Sequence, residues 1–253
     1  MTVRRFHISL LLTALLVAGC ATGRGQQPIA KNNPASYHYQ MGLSYLAEHN
    51  YTGALVELTE AEKLDPDNPE VFYNLGVAYM GKRRPDLAEQ RFQRAIALKP
   101  NYSAARNDLG VACLELKHWD NAIQQFQIVK DDLFYENSEN AAINLGLAYL
   151  GKGDYTQAMK ELRAVETASP RNPIVHVSIG RAWFAMDKPE QAIGEYRKAL
   201  EIYKDYAAAY YYLGLAQLKL HNLEAARAAF KEVVRIIPDS DLGRSSLGYL
   251  ELL

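Results

Sequence analysis

Residues recur along this chain with a nearly constant spacing, and that regularity limits the fold more than any other feature. A glycine returns after 34, 34, 36, 34, 34 and 34 residues, at Gly42, Gly76, Gly110, Gly146, Gly180, Gly214 and Gly248. A period of this length is typical of a helix-turn-helix unit that stacks on its neighbours to form a solenoid. We therefore predict an all-α, right-handed superhelix.

Several other positions keep the same register. When the glycine is numbered position 8, six units span residues 35–68, 69–102, 103–136, 139–172, 173–206 and 207–240. Position 7 is apolar in every unit, position 20 is always Ala, and position 24 is Leu, Phe or Tyr. Small residues at positions 8 and 20 allow the two helices of a unit, helix A and helix B, to approach closely, and bulky residues fill the space around them. The pattern resembles the tetratricopeptide repeat.

The ends of the helices and of the solenoid also carry signals. Pro85 and Pro189 fall where helix B begins, a position that needs no backbone donor. Four further prolines are predicted to end helix B: Pro66, Pro100, Pro170 and Pro238. A solenoid needs a cover over its last unit, and Gly248 stands in phase within residues 241–253. We predict that this segment is a C-terminal capping helix, which completes a repeat domain over residues 35–253.

The first residues read as a targeting signal. Arg4 and Arg5 precede an apolar run that is shorter than a transmembrane helix requires. Residues 1–19 are therefore predicted to be a signal peptide. The ending Val17-Ala18-Gly19-Cys20 resembles the bacterial lipobox, which implies that Cys20 carries acyl chains. Ala21 after this cysteine implies, by the same resemblance, the outer membrane, with the protein facing the periplasm. An ordinary secretory signal with a chance cysteine is the alternative. Residues 20–34 are polar and predict a flexible tether.

Charge and motifs narrow the classes of function. Loss of Arg4 and Arg5 with the signal peptide leaves 26 Lys and Arg against 29 Asp and Glu, which gives no electrostatic footprint for nucleic acid. The histidines lie at differing phases of the repeat without metal-ligand spacing, and no nucleophile or phosphate-binding motif occurs. Cys113 is predicted to be a small core residue. We expect no metal, no cofactor and no enzymatic activity.

One insertion interrupts the period between the third and fourth units. The chain reads Asp132-Leu133-Phe134-Tyr135-Glu136-Asn137-Ser138 and then enters a helix with Asn144-Leu145-Gly146-Leu147. A tolerated loop insertion is the simplest explanation. The stretch, in a lipoprotein of six such repeats, also resembles the PilF/PilW/Tgl family of type IV pilus biogenesis proteins, although it departs from that form in detail. The resemblance implies a pilotin-type role in assembly of the pilus secretin at the outer membrane.

A six-repeat solenoid presents a concave groove lined by helix A, which is the predicted partner site. Tyr side chains are frequent at binding hot spots, and Asn at position 6 could hydrogen-bond an extended peptide. Packing within a tight superhelix is the alternative for each residue. The residues predicted to line the groove are drawn from positions 5, 6 and 9: Tyr39, Leu43, Tyr73, Asn74, Val77, Asn107, Val111, Ile143, Asn144, Leu147, Arg181, Tyr211 and Leu215.

Two functions compete at this point. The first is an outer-membrane pilotin that binds secretin subunits through the groove while acyl chains on Cys20 hold it to the membrane. The second is a general periplasmic scaffold lipoprotein that recruits cell-wall or exopolysaccharide machinery. Both are protein-binding functions, and neither requires chemistry from the chain itself.

Overall fold

The computed structural model describes residues 33–253, which form thirteen α-helices and no strand. The helices are α1 (Pro34–Ala47), α2 (Tyr51–Leu64), α3 (Pro69–Gly81), α4 (Pro85–Leu98), α5 (Ser103–Glu115), α6 (Trp119–Lys130), α7 (Ser138–Lys152), α8 (Tyr155–Ala168), α9 (Pro173–Ala185), α10 (Pro189–Ile202), α11 (Ala207–Lys219), α12 (Leu223–Ile236) and α13 (Asp241–Leu252). The predicted all-α superhelix is confirmed. The signal peptide, Cys20 and the tether as far as residue 32 lie outside the described residues, whereas Pro34, predicted to end the tether, is the first residue of α1.

The helices form two layers. Helix A of each repeat is odd-numbered and contacts helix A of the next repeat, from α1 through to α13. The even-numbered B helices do not contact one another within residues 33–253. The A layer is therefore the inner side of the curve. The curvature lets Arg83, in the turn of the second repeat, donate to Asp241 at the start of α13 over 2.9 Å.

Close packing between the two helices of a repeat explains the periodic glycine. In the third repeat a Cβ atom built on Gly110 would lie 2.6 Å from the ring of Phe126, which is fully buried. Only a residue without a side chain leaves room for a ring in that place. The same arrangement recurs where Phe230 packs over Gly214.

The predicted helix ends are confirmed, whereas the positive φ angles in the turns were not predicted from the sequence. Pro85 and Pro189 begin α4 and α10, and the four other prolines each follow the end of a B helix by two residues. The turns between helices A and B contain a residue with positive φ: His49, Arg83, Lys117, Gly153, Asp187 and His221. Most of these are not glycine, so the turns retain some backbone strain.

The last helix covers the final repeat as predicted. In α13, Tyr249 stacks on Phe230 with ring centroids 4.8 Å apart and an interplanar angle of 8°. Ser240 accepts a hydrogen bond from the backbone nitrogen of Gly243 and so fixes the start of the helix. The apolar face of the sixth repeat is thereby removed from water.

Candidate functional site

The inner groove, defined as the predicted residues at positions 5, 6 and 9 of the A helices, is lined by partly accessible side chains. All but one of these residues are half-buried: Tyr39, Leu43, Tyr73, Asn74, Val77, Asn107, Val111, Asn144, Leu147, Arg181, Tyr211 and Leu215. Ile143 is the exception, since only 2% of its surface is exposed and it packs in the core with Leu162 and Ile179. The expectation that Ile143 lines the groove is therefore wrong, because the neighbouring helices enclose it.

A cavity opens in the groove where the second and third repeats meet. Its volume is about 230 Å³, and it is lined by Val77, Met80, Phe92, Asp108 and Val111. The structure therefore brings together two of the predicted groove residues, Val77 and Val111. Its walls are apolar apart from one carboxylate, that of Asp108, which the sequence reasoning did not single out. We call this space the groove cavity.

Asp108 is held by neutral donors. The hydroxyl of Tyr73 donates to Oδ2 over 3.0 Å, and the side-chain amide of Asn107 donates to Oδ1 over 3.0 Å. Burial raises the pKa of Asp108, and burial followed by the charge of Asp108 raises the pKa of Tyr73. No Lys or Arg forms an ion pair with Asp108 within residues 33–253. The groove cavity thus contains a carboxylate without a cationic partner, which favours a positively charged ligand.

The two position-6 amides differ in their availability. Asn74 donates to the Tyr39 hydroxyl over 3.2 Å and to the Glu70 carbonyl over 2.8 Å, so its two N–H groups are used inside the protein. Asn144 makes no side-chain hydrogen bond in the part of the chain that the structure describes. An extended peptide could therefore use both groups of Asn144, but only the carbonyl of Asn74.

The far end of the groove is aromatic. The Arg181 guanidinium lies 5.1 Å from the ring centre of Tyr212, a cation–π arrangement. Tyr211 packs against Tyr212 and Tyr249 with ring centroids 5.5 and 6.4 Å apart. Arg181 therefore lies over an aromatic face and does not stand alone in the groove. Tyr rings of this kind provide large contact areas for a partner.

The insertion exposes two large apolar side chains. Leu133 is 95% exposed and Phe134 is 94% exposed. The turn that carries them is held in place, because Asp132 accepts hydrogen bonds from the backbone nitrogen of Phe134 and from the hydroxyl of Ser103. Tyr135 packs against the core from the same turn. We call Leu133 and Phe134 the exposed pair.

Two clusters of metal-ligating side chains form that sequence spacing did not reveal. Glu89, Cys113 and His118 approach one another, as do Glu166, His176 and Glu195. Burial and the neighbouring Glu89 raise the pKa of Cys113 to about 12. The spacing rule failed because each cluster draws its members from different helices and turns.

Arginine and lysine neutralise the second cluster. Arg163 lies 2.6 Å from Glu166 and 3.3 Å from Glu195, and Lys198 lies 3.2 Å from Glu195. His176 places one ring nitrogen 3.0 Å from Glu195 and the other 3.1 Å from the Pro170 carbonyl. This cluster is a satisfied ion network that joins α8, α9 and α10.

Comparison with known proteins agrees with this architecture. The family model described as "TPR repeat" matches residues 42–82, and the one described as "Tetratricopeptide repeat" matches residues 75–133, 143–207 and 177–241. The chain belongs to the tetratricopeptide repeat family. Curated relatives include DnaJ homolog subfamily C member 3 from Bos taurus, 29% identical over 123 residues, which are 46% of this chain and 24% of that protein. The match thus spans about a quarter of that relative's length.

Several solved structures share the fold. PilW, a widely conserved type IV pilus biogenesis factor, aligns with a TM-score of 0.70 at 20% identity, over 85% of this chain and 99% of that one. PilF of Pseudomonas aeruginosa aligns with a TM-score of 0.62 at 20% identity, over 85% and 97%. A tetratricopeptide repeat protein of Parabacteroides merdae reaches 0.76 at 16% identity, over 88% and 86%. The resemblance to PilF and PilW is thereby confirmed for the fold.

None of the helices described between residues 33 and 253 combines the length and the apolar character that crossing a bilayer requires.

Proposed function

We propose that this tetratricopeptide repeat protein is an outer-membrane lipoprotein that assists type IV pilus assembly by binding subunits of the pilus secretin. The observation that carries the proposal is the alignment with PilW, which extends over 99% of that protein. The match therefore covers the succession of repeats from one end of PilW to the other and is not confined to one generic helix pair. The inner groove supplies the surface through which such a protein would act.

The groove cavity suggests the chemistry of the bound segment. Its walls offer Val77, Met80 and Val111 to an apolar side chain, and Asp108 offers a carboxylate without a cation. A Lys or Arg side chain fits both the apolar walls and the carboxylate. Its alkyl stem packs on the walls while its charged group pairs with Asp108. We expect the partner segment to place a basic residue next to an apolar one.

Membrane attachment would supply the rest of the mechanism. Acyl chains on Cys20 would confine the groove to the inner surface of the outer membrane, because each buried methylene contributes about 0.8 kcal/mol. A partner that is held by the groove then stays near the membrane in which it must assemble. Its effective concentration there rises without any further contact.

Deletion of the gene tests the proposal. We expect secretin to remain monomeric or to form mislocalised rings in the deletion strain, and wild-type protein should restore the multimers. The groove variants Val77→Ser and Val111→Ser should restore them poorly, whereas Val56→Ser, at a 59%-exposed position on the outer helix α2, should restore them fully. Normal secretin multimers in the deletion strain would refute the proposal.

The second candidate is a general periplasmic scaffold for cell-wall or exopolysaccharide machinery. One observation calls for this second candidate: the TM-score of 0.76 with the Parabacteroides merdae protein exceeds the score of 0.70 with PilW, so the same fold occurs outside the two pilus proteins. The fold therefore does not select one partner. Capture of partners from solubilised membranes separates the two, since secretin is expected in one case and hydrolases or synthases in the other.

A further inference from the structure

Three residues, each of a type that occurs once at its position in the six repeats, meet at the boundary between the second and third repeats. Position 11 is aromatic in four repeats but is Cys113 in the third. Position 21 is occupied by one acidic residue among the six repeats, Glu89 of the second. Position 16 is occupied by one histidine, His118 of the third. The three residues come from α4, from α5 and from the turn before α6, and the fold brings their side chains together.

The three side chains lie close enough together to bind one metal ion. The Cys113 sulfur lies 3.6 Å from Oε1 of Glu89, and Nδ1 of His118 lies 3.3 Å from Oε2 of Glu89. These two distances end on different oxygens of the Glu89 carboxylate, which therefore lies between the thiol and the imidazole. A tetrahedral Zn²⁺ with bonds of about 2.3 Å to sulfur and about 2.0–2.1 Å to nitrogen and oxygen holds its ligand atoms about 3.4–3.6 Å apart, a separation of similar size. One ligand atom from each residue can be chosen so that all three lie within 4.8 Å of one another.

The charge balance separates this cluster from the ion network around His176. The Glu89 side chain is only 14% exposed, and His118 is its one basic partner within residues 33–253. Glu195, by contrast, is 6% exposed and pairs with Arg163 and Lys198 as well as with His176. A largely buried carboxylate next to a thiol and an imidazole, without Lys or Arg, has the ligand types that zinc prefers.

We propose that Glu89, Cys113 and His118 bind one Zn²⁺ ion. The Cys113 thiol gives up its proton to solvent as the Zn–S bond forms, His118 coordinates through Nδ1, and Glu89 coordinates through a carboxylate oxygen. The His118 side chain is 50% exposed, so a water molecule can reach the fourth coordination position. The ion would join α4, α5 and the turn before α6, and α4 and α5 also carry Phe92, Asp108 and Val111 of the groove cavity.

Cobalt spectroscopy of the full-length chain tests the site. The chain has two cysteines, so the substitution Cys20→Ser leaves Cys113 as the only thiol. Titration with Co²⁺ should produce a thiolate-to-cobalt charge-transfer band that saturates at one equivalent. Added Zn²⁺ should abolish the band, and the competition gives the dissociation constant for zinc.

The repeats themselves provide conservative variants. His118→Asn introduces the residue that the first and sixth repeats carry at position 16, as Asn50 and Asn222, and it is therefore compatible with the fold. Loss of an outer-shell group weakens metal binding by about 10- to 100-fold, so loss of a direct ligand in His118→Asn or Glu89→Gln should weaken zinc binding at least tenfold. Cys113→Ser should remove the charge-transfer band.

Two histidine substitutions serve as controls. His221→Asn changes an exposed histidine in an equivalent turn, and His176→Gln changes the ion network. Both should keep the wild-type dissociation constant for zinc. The proposal is overturned if the parent chain gives no cobalt band. It also fails if folded His118→Asn protein keeps the parent affinity, or if either control weakens binding as much as His118→Asn does.

Discussion

The exposed pair offers the sharpest separation between folding and function. Leu133 and Phe134 are 95% and 94% exposed, so the folded chain gains almost nothing from their side chains. The turn is held by Asp132, Ser103 and Tyr135, which the substitutions leave in place. We therefore expect the double variant Leu133→Ser/Phe134→Ser to change the free energy of unfolding by less than about 0.5 kcal/mol.

Partner binding should respond very differently. Burying one Leu or Phe side chain contributes about 1.5–3 kcal/mol, so two side chains could contribute about 3–6 kcal/mol to a complex. Part of this is lost to ordering and desolvation at the interface, and we take about 2–4 kcal/mol as the net contribution of the pair. The dissociation constant for the proposed secretin partner should then rise by a factor of about 30 to 700.

Two measurements and one matched control test whether the exposed pair contributes to partner binding and not to stability. Urea denaturation followed by circular dichroism gives the stability, and titration of solubilised secretin subunits gives the affinity. The control is Val56→Ser/Leu64→Ser, which removes two apolar side chains that are 59% and 52% exposed on α2. An unchanged affinity in the Leu133→Ser/Phe134→Ser variant would show that the pair does not touch the partner. A large loss of stability would show that the turn supports the fold after all.

Three other predictions follow from the described contacts and the proposed anchor. Gly110→Ala should lower the melting temperature, because overpacking against Phe126 costs about 1–3 kcal/mol and exceeds the gain in helix propensity. Its control, Gly194→Ala, has no neighbour within 4 Å of the added Cβ atom and should be stabilising by about 0.5–1 kcal/mol. His176→Gln should lower the free energy of unfolding by about 1–3 kcal/mol in urea denaturation, because Glu195 loses a buried partner. Cys20→Ser should release the protein from the outer membrane or trap its precursor, and unchanged fractionation would defeat the proposed lipid anchor.

The periodic part of the fold could be predicted from the sequence because the same residue types pack the two helices of every repeat. One helix pair requires Gly at position 8, Ala at position 20 and a bulky residue at position 24. Because this pattern occurs six times, it can be recognised in the sequence. The positions of Pro85 and Pro189 followed for the same reason. The capping helix was found because Gly248 kept the phase of the repeat.

The candidate site was less predictable, because it depends on contacts between repeats. Ile143 and Tyr73 occupy the same position in their repeats, yet Ile143 is enclosed by its neighbours while Tyr73 reaches Asp108 in the next repeat. Periodicity gives the side of a helix but not the depth of a side chain on that side. The cluster of Glu89, Cys113 and His118 was missed because spacing rules presume ligands on one segment.

Residues that depart from the repeat pattern indicate where this protein has a function other than packing of its repeats. In a solenoid each repeat packs mainly against its neighbours, and that packing explains the residues that match the repeat pattern. The groove cavity, the zinc cluster and the exposed pair all lie between α3 and the turn after α6. Ser103 on α5 joins two of these regions, since it holds the turn of the exposed pair while Asp108 on the same helix lines the cavity. A partner that occupied the cavity and the exposed pair together would therefore bind across α5, and the remaining repeats would serve to hold that region in shape.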